Sequence, residues 1–205
     1  MLFRSRQYDH HITDRISRIW TADCGRCTRT QRNTNISLEQ LRSAVKGRHP
    51  SPVLGLYVGT LQYGVEIDDT IWNVAPDRIC ATPRYAILTI RLNSAIYIPR
   101  EFLGNSCLEA LARAHEAKHA DADVQALDRF RPLVAPAVRE ALRHDTAMSS
   151  NTAEEAVPKL TKGLVAAVDH VFGEMTVARQ HLDAEIDSPA ELERLSRACD
   201  HPCIQ

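Results

Sequence analysis

The segment Ala114–Ala120, which reads A-H-E-A-K-H-A, holds the residues of this chain best suited to catalysis. His115, Glu116 and His119 form the H-E-x-x-H pattern of zinc-dependent hydrolytic sites. Residues four apart on an α-helix lie one turn apart on one face, so both imidazoles can bind a single Zn²⁺ ion. Glu116 would lie beside the ion and accept a proton from the attacking water. The alternative is that both histidines are core residues hydrogen-bonded to their neighbours.

The residues around this motif predict an α-helix from about residue 106 to residue 128. Asn105 or Ser106 can cap its N-terminus, and Ser106 forms a capping box with Glu109. No Gly or Pro follows before about Asp128, and residues of high helix propensity dominate. Small or apolar residues and the two histidines share one stripe at helical spacing: Leu108, Leu111, Ala112, His115, His119, Ala122 and Ala126. We therefore expect both imidazoles to face the interior.

A catalytic zinc site usually has three protein ligands, so one more is expected from outside the motif. Asp123, one turn after His119, lies too far along the helix axis to complete a tetrahedron. Residues near the end of a later helix are better placed, although acidic residues there can also be a solvated helix end. The candidates are Asp183 first, then Glu185 or Asp187, with His181 and His170 as further options. A donor to the oxyanion is also expected, for which His144 and Tyr97 are candidates.

The chain before the motif predicts a short helix followed by strands. Ser37 and Gln40 form a capping box for the short helix. Segments rich in Val, Ile, Tyr and Leu predict four strands in one mainly antiparallel sheet: Val53–Val58, Leu61–Ile67, Arg84–Leu92 and Ala95–Ile98. Asn93-Ser94 predicts a tight turn between the last two strands.

Helices are predicted for most of the chain after the motif. Pro132 predicts a break, after which a second helix covers about Leu133–His144 and Ala147–Thr152 forms a loop. A long helix is expected from about residue 154 or 157 to residue 185, and a capping box at Ser188 begins a last short helix. Strands followed by helices indicate an α+β fold.

Length and composition predict an ordinary globular chain. It has 205 residues, of which 44% are hydrophobic and 25% charged. We expect a polar, Arg-rich N-terminal arm over residues 1–35 and a single α+β domain over residues 36–205. A net charge of −1 gives no case for a nucleic-acid partner, and no apolar run is long enough to span a membrane. We expect a monomer that acts on a peptide or protein substrate.

Six cysteines fall in three couples: Cys24 and Cys27, Cys80 and Cys107, Cys199 and Cys203. Such couples suggest disulfides and a periplasmic or secreted location, whereas residues 1–20 lack the apolar core of a signal peptide. We expect a disulfide between Cys80 and Cys107. The outer four cysteines would form two small loops, link the chain ends or bind a structural zinc ion. Free thiols are the remaining alternative.

Three segments carry a resemblance to a known family. They are Tyr97-Ile-Pro-Arg-Glu with Gly104-Asn-Ser-Cys107, His115-Glu-Ala-Lys-His119-Ala-Asp121, and Leu182-Asp-Ala-Glu-Ile-Asp-Ser-Pro189 with Cys199 after it. A short sheet whose final strand precedes an H-E-x-x-H helix resembles the zincin fold of metallopeptidases. Over about Leu54–Cys199, the chain is similar to a family of uncharacterised, mostly exported bacterial proteins predicted to be small zinc-dependent proteases. That family has a Y-D-x-E-T-like segment at Leu182–Ile186, where this chain lacks the Tyr and the Thr.

The resemblance implies a small zincin-like fold and a zinc-dependent metallopeptidase in which Glu116 acts as general base. It also implies that the strand before the motif helix, Ala95–Ile98, borders the cleft and can bind an extended peptide by strand addition. The alternative is a catalytically inactive zincin-like module, a disulfide-stabilised binding or interaction protein.

Overall fold

A computed structural model describes residues 30–45, 53–144 and 148–199. Predictions for Cys24, Cys27, Cys203 and the first 29 residues of the Arg-rich arm lie outside these residues. The described part has an α+β fold, as predicted. Its strands β1 to β4 are Thr30–Asn33, Leu56–Ala75, Arg78–Tyr97 and Met148–Ser150, and its helices α1 to α4 are Leu38–Val45, Ser106–His144, Ala153–Ile186 and Pro189–Arg197. None of the described helices is both long and apolar enough to cross a membrane.

Two strands of 20 residues, β2 and β3, form most of the sheet. They are hydrogen-bonded neighbours joined only by Pro76-Asp77, which is the connection of an antiparallel hairpin. β1 pairs in parallel with the end of β3, and β4 pairs in antiparallel fashion with its start. The sheet is therefore mixed. Among the described strands β2 has one neighbour, β3, so its other side is an edge.

The predicted strand boundaries are wrong at several places. The separate strands predicted over Val53–Val58 and Leu61–Ile67 are one strand, β2, and β3 begins at Arg78 rather than Arg84. Two further differences concern pairing. Asn93-Ser94 does not form a turn, because both residues continue β3 and Ser94 pairs with Thr30 of β1. The Thr30 and Ser94 hydroxyl oxygens lie 2.9 Å apart. The loop predicted over Ala147–Thr152 contains β4, which pairs with β3. In both cases the strand is stabilised by a partner distant in sequence, which a local pattern does not reveal.

The motif helix α2 continues well past the predicted break. It has 39 residues and passes through both Pro132 and Pro136 without ending. A proline inside a helix removes one backbone hydrogen bond and crowds the preceding turn, which packing elsewhere along the helix can offset. Apolar side chains of α2 on either side of Pro132 are buried: Phe130, Val134 and Val138.

Side-chain caps begin the shorter helices where the sequence predicted them. The Ser37 hydroxyl accepts a hydrogen bond from the Gln40 N–H, and the Gln40 side chain accepts one from the Ser37 N–H. The Ser188 hydroxyl accepts the N–H of Glu191 at the start of α4. For α2 the cap is Asn105, the first of the two predicted candidates.

The described residues divide into two compact units. One comprises residues 62–91, 128–144 and 148–175, and the other residues 30–45, 53–61, 92–127 and 176–199. We call the second the motif unit, because it contains the H-E-x-x-H residues. Its buried core consists of Leu54, Ile96, Ile98, Phe102, Leu108, Ala112, Leu195 and Cys199.

A disulfide bond in the motif unit joins Cys107 to Cys199. It links the first turn of α2 to the residues just after α4, and the two Cα atoms are 6.0 Å apart. The predicted pairing of Cys80 with Cys107 is wrong, since Cys80 is a buried free thiol in β3. Because Cys199 is already paired, neither a local loop with Cys203 nor a zinc site using all four outer cysteines forms.

Candidate metal centre

The two histidines of the motif lie one turn apart on the buried face of α2. His115 is 6% exposed and His119 is 8% exposed, as the apolar stripe predicted. Their ring centroids are 5.2 Å apart, and the rings meet edge to face. Leu108 and Ala112 of the same stripe belong to the core of the motif unit, which anchors this face of the helix.

The carboxylate of Asp187 meets both imidazoles. Its Oδ1 lies 3.2 Å from Nε2 of His115 and 3.3 Å from Nε2 of His119. Asp187 is in the short connection between α3 and α4, where its N–H donates to the Asp183 carbonyl at 2.9 Å. The capped start of α4 at Ser188 follows directly, so backbone bonds on both sides position this residue.

These three side chains fit a metal ion. Their ligand atoms all lie within 4.8 Å of one another. Two atoms bound to one zinc ion at tetrahedral angles lie about 3.3 Å apart, given bond lengths of about 2.0–2.1 Å. The separations of 3.2 and 3.3 Å between the Asp187 oxygen and the two ring nitrogens match this value. Two imidazoles and one carboxylate are also a ligand set of catalytic zinc sites.

Asp183, the first-ranked third ligand, contacts the other side of the His119 ring. Its Oδ1 lies 2.7 Å from Nδ1 of His119, so this carboxylate orients the ring while Nε2 faces Asp187. The other candidates are not in the group. Glu185 and His181 are exposed, and His170 is exposed in the other unit.

Without a metal ion, these groups hold one proton tightly. Burial lowers the pKa of His119, but hydrogen bonds with Asp183 and Asp187 outweigh this effect and raise the pKa to about 10. For Asp187, burial raises the pKa, but the hydrogen bonds with His115 and His119 hold it well below its usual range. Metal binding requires a neutral imidazole, so the ion must displace the His119 proton.

Glu116 is the carboxylate of the motif that lies beside the three candidate ligands. It is 5% exposed and accepts a hydrogen bond from the backbone N–H of Tyr57. Burial raises the pKa of Glu116 to about 7, although the two histidines act in the opposite direction. A carboxylate with a pKa near neutrality can both accept and return a proton, as a general base must.

Two glycines let β2 and the residue before it approach α2 closely. A Cβ atom at Gly55 would lie 2.7 Å from Cγ of Glu116, which is too close for any larger residue. A Cβ atom at Gly59 would collide with the Asp123 carboxylate and the Tyr57 hydroxyl. Gly55, Tyr57 and Gly59 alternate along the chain and therefore share one face, which is turned toward α2.

Tyr57, Asp123 and Arg179 form a second polar cluster that the sequence did not predict. The Tyr57 hydroxyl donates to Oδ2 of Asp123 at 2.8 Å. Arg179 donates from Nε to Oδ1 at 2.5 Å and from Nη2 to Oδ2 at 2.7 Å. Asp123 is 3% exposed, and a carboxylate so deeply buried needs such a partner. Asp123 lies on the same face of the helix as the two histidines. This position is the one feature of the sequence that indicates a buried carboxylate, and therefore a cation from elsewhere in the chain to pair with it.

No family model, no curated protein and no solved structure matches this chain. The geometry of the site is therefore the basis for assigning a function.

The three candidate ligands line a cavity of about 420 Å³ within the motif unit. Its polar wall consists of His115, Glu116, His119, Arg179, Asp183 and Asp187. Its other lining residues come from α1, α4 and the residues that lead into and begin β2: Ala44, Val45, Val53, Leu54, Gly55, Leu56, Tyr57, Val58, Gly59 and Leu192.

The strand predicted to bind the substrate is not an edge. Ala95–Tyr97 pair with β1, and β3 lies between β1 and β2. The edge that lines the cavity is the start of β2, from Leu56 to Gly59. Tyr97 is half-buried within the β1 pairing, and the side chain of His144 lies outside the described part of the structure.

Proposed function

We propose that this protein is a zinc-dependent metallopeptidase that hydrolyses peptide bonds with Glu116 as general base. The observation that carries the proposal is the position of Asp187 Oδ1, 3.2 Å from Nε2 of His115 and 3.3 Å from Nε2 of His119, beside the buried carboxylate of Glu116. These groups line one cavity of a size suited to a short stretch of peptide.

His115, His119 and Asp187 would hold the ion, and Asp183 would keep His119 in the required tautomer. When bound, Zn²⁺ polarises a carbonyl group and increases the acidity of a water molecule. Asp183 accepts the Nδ1 proton of His119, which leaves Nε2 free to act as a ligand. Among the described residues the group has three members, the number typical of catalytic rather than structural zinc sites.

Glu116 moves the protons of the reaction. Its carboxylate takes a proton from the attacking water and returns it to the nitrogen of the leaving amine. The Tyr57 N–H holds this carboxylate in place, and the absence of a side chain at Gly55 leaves room for it. Burial keeps bulk water away from the carboxylate and raises its pKa to about 7, close to a neutral solution pH.

An extended peptide is the substrate that the strand edge in the cavity favours. The start of β2 lines the cavity with an edge that has no strand partner among the described residues. Such an edge offers backbone groups to which a peptide can add as a further strand. β2 therefore takes the role that the sequence assigned to Ala95–Ile98.

A second candidate function is a catalytically inactive, disulfide-stabilised interaction protein with the same site. The Cys107–Cys199 disulfide favours it, because the bond ties together two of the elements around the site without taking part in chemistry. The contacts of His119 with both Asp183 and Asp187 are equally compatible with a metal that only stabilises the fold.

Metal analysis and peptidase assays of two variants distinguish these functions. We expect about one zinc per chain and turnover of a peptide library by the wild type. Glu116→Gln should keep the zinc and lose roughly 10²–10⁴-fold in turnover, because it removes the base but no ligand. Glu109→Gln, which alters an ion pair with Arg113 on the same helix, is the matched control and should remain active. Zinc without turnover would leave the interaction protein, and absence of zinc would contradict both functions.

A further inference from the structure

Arg179 is a charged residue of the cavity wall that the proposed proton transfers do not use. We propose that Arg179 is a substrate-binding residue whose guanidinium donates a hydrogen bond to a backbone carbonyl oxygen of the peptide. This inference rests on the proposed peptidase function and names a group that would position the substrate.

Two hydrogen bonds to Asp123 fix the guanidinium through Nε and Nη2, and neither of them uses Nη1. Its Nε and Nη2 atoms both donate to Asp123, which is 3% exposed and is not among the residues that line the cavity. A planar guanidinium bound along that edge has its remaining nitrogen, Nη1, on the opposite side. Arg179 lines the cavity, and Nη1 would be the nitrogen left to bond a ligand there, because Nε and Nη2 already donate to Asp123.

Charge favours a neutral carbonyl over a carboxylate as the partner of Nη1. Asp123 already balances the charge of Arg179 through two short hydrogen bonds. A substrate carboxylate would therefore gain little from this guanidinium, whereas an amide carbonyl needs only the donor.

The position of Arg179 matches the path of a peptide along β2. Its Nη2 lies 3.4 Å from the carbonyl oxygen of Gly59, at the strand edge that lines the cavity. Asp123 follows His119 by one helical turn, roughly 5.4 Å along α2. Residues of an extended peptide are spaced by about 3.3 Å. The donor would therefore reach a carbonyl one or two residues from the bond that is cleaved.

The test compares long and short peptides in variants that keep the fold. Replacing Arg179 alone would leave the buried Asp123 carboxylate without a cation, so Arg179→Met is combined with Asp123→Leu, which removes the whole ion pair. Arg113→Met is the control, because Arg113 is also salt-bridged but does not line the cavity. Affinities are measured by calorimetry in zinc-loaded Glu116→Gln protein, with a blocked hexapeptide of the best-cleaved library sequence and a blocked dipeptide containing only its scissile bond.

We expect the double substitution to weaken hexapeptide binding by roughly tenfold or more, as loss of a charge-assisted hydrogen bond does. Dipeptide binding, zinc content and the Arg113→Met control should not change. Equal losses for both peptides would indicate a structural role and overturn the inference. An unchanged hexapeptide affinity would also overturn it, as would no measurable hexapeptide binding by the Glu116→Gln protein that keeps Arg179 and Asp123. Cleavage by the wild type combined with any of these results refutes only the role of Arg179, whereas absence of cleavage refutes the peptidase itself.

Discussion

Gly55→Ala adds one methyl group against the carboxylate of Glu116 without removing any functional group. The new Cβ would lie 2.7 Å from Cγ and 2.8 Å from Oε1 of Glu116. Ordinary contacts begin near 3.4 Å, so the carboxylate and the strand must separate by about 0.7 Å, the difference between 3.4 and 2.7. Glu116 is buried and hydrogen-bonded to the Tyr57 N–H, so it has little room to yield.

The expected cost falls on both activity and stability. Misplacing a catalytic group by about 1 Å can cost roughly 10²-fold in rate, so a shift of about 0.7 Å should lower kcat/KM by roughly tenfold or more. Overpacking of this kind also destabilises a protein by about 1–3 kcal/mol. Zinc content should remain near that of the wild type, because none of the three candidate ligands changes.

Gly64→Ala is the matched control for this substitution. Gly64 also lies in β2, but a Cβ atom there would meet nothing within 4 Å. Alanine at this position should leave kcat/KM unchanged and leave the thermal unfolding temperature equal or slightly higher, since it reduces the freedom of the unfolded chain. If Gly55→Ala has the same unfolding temperature and the same kcat/KM as Gly64→Ala, the close approach of strand and helix does not position Glu116.

Three further predictions concern the ligands, the disulfide and protonation. Asp187→Asn should reduce zinc affinity more than Asp183→Asn does, as measured by competition with a chelator. For Asp183→Asn we expect a loss of about 10–100-fold, which is typical of a residue that orients a ligand. The reverse order would make Asp183 the third ligand. Replacing both Cys107 and Cys199 by Ser should lower stability by about 2–5 kcal/mol in denaturant unfolding, and an unchanged midpoint would mean that the bond does not form. In metal-free protein, the raised pKa of His119 should stabilise the folded state. This stabilisation is complete below about pH 6.5 and is lost as the pH rises through about 10, because the folded state then releases its extra proton. Unfolding temperatures from pH 6 to pH 10 should show this loss in the wild type and not in His119→Gln.

The features predicted correctly from the sequence are those that depend on neighbours along the chain. The capping residues Ser37 and Ser188 act through bonds to residues three positions later, which a sequence displays directly. The burial of His115 and His119 followed from the period of a single helix. The α+β class followed from the order of strands and helices alone.

The features that escaped prediction depend on which distant residues meet. Asp183 and Asp187 lie one turn apart on the sequence, and only the turn between α3 and α4 determines which of them faces Nε2 of both histidines. Cys107 pairs with Cys199, 92 positions away, because the start of α2 lies near the end of α4. Likewise, the continuation of β3 through Ser94 depends on pairing with Thr30.

The packing of β2 against α2 shows how such a contact could be recognised in a sequence. From Gly55 to Gly59, four steps of an extended chain cover about 13 Å, and from Glu116 to Asp123, seven steps of a helix cover about 10.5 Å. The two lengths are close enough that alternate strand residues meet successive turns of the helix. Where the helix carries bulky polar side chains, the strand carries Gly, and where the strand carries Tyr57, its hydroxyl bonds to the helix. A Gly-x-Tyr-x-Gly strand is thus the complement of a helix whose buried face is polar, and the pair is specified only when both elements are considered together.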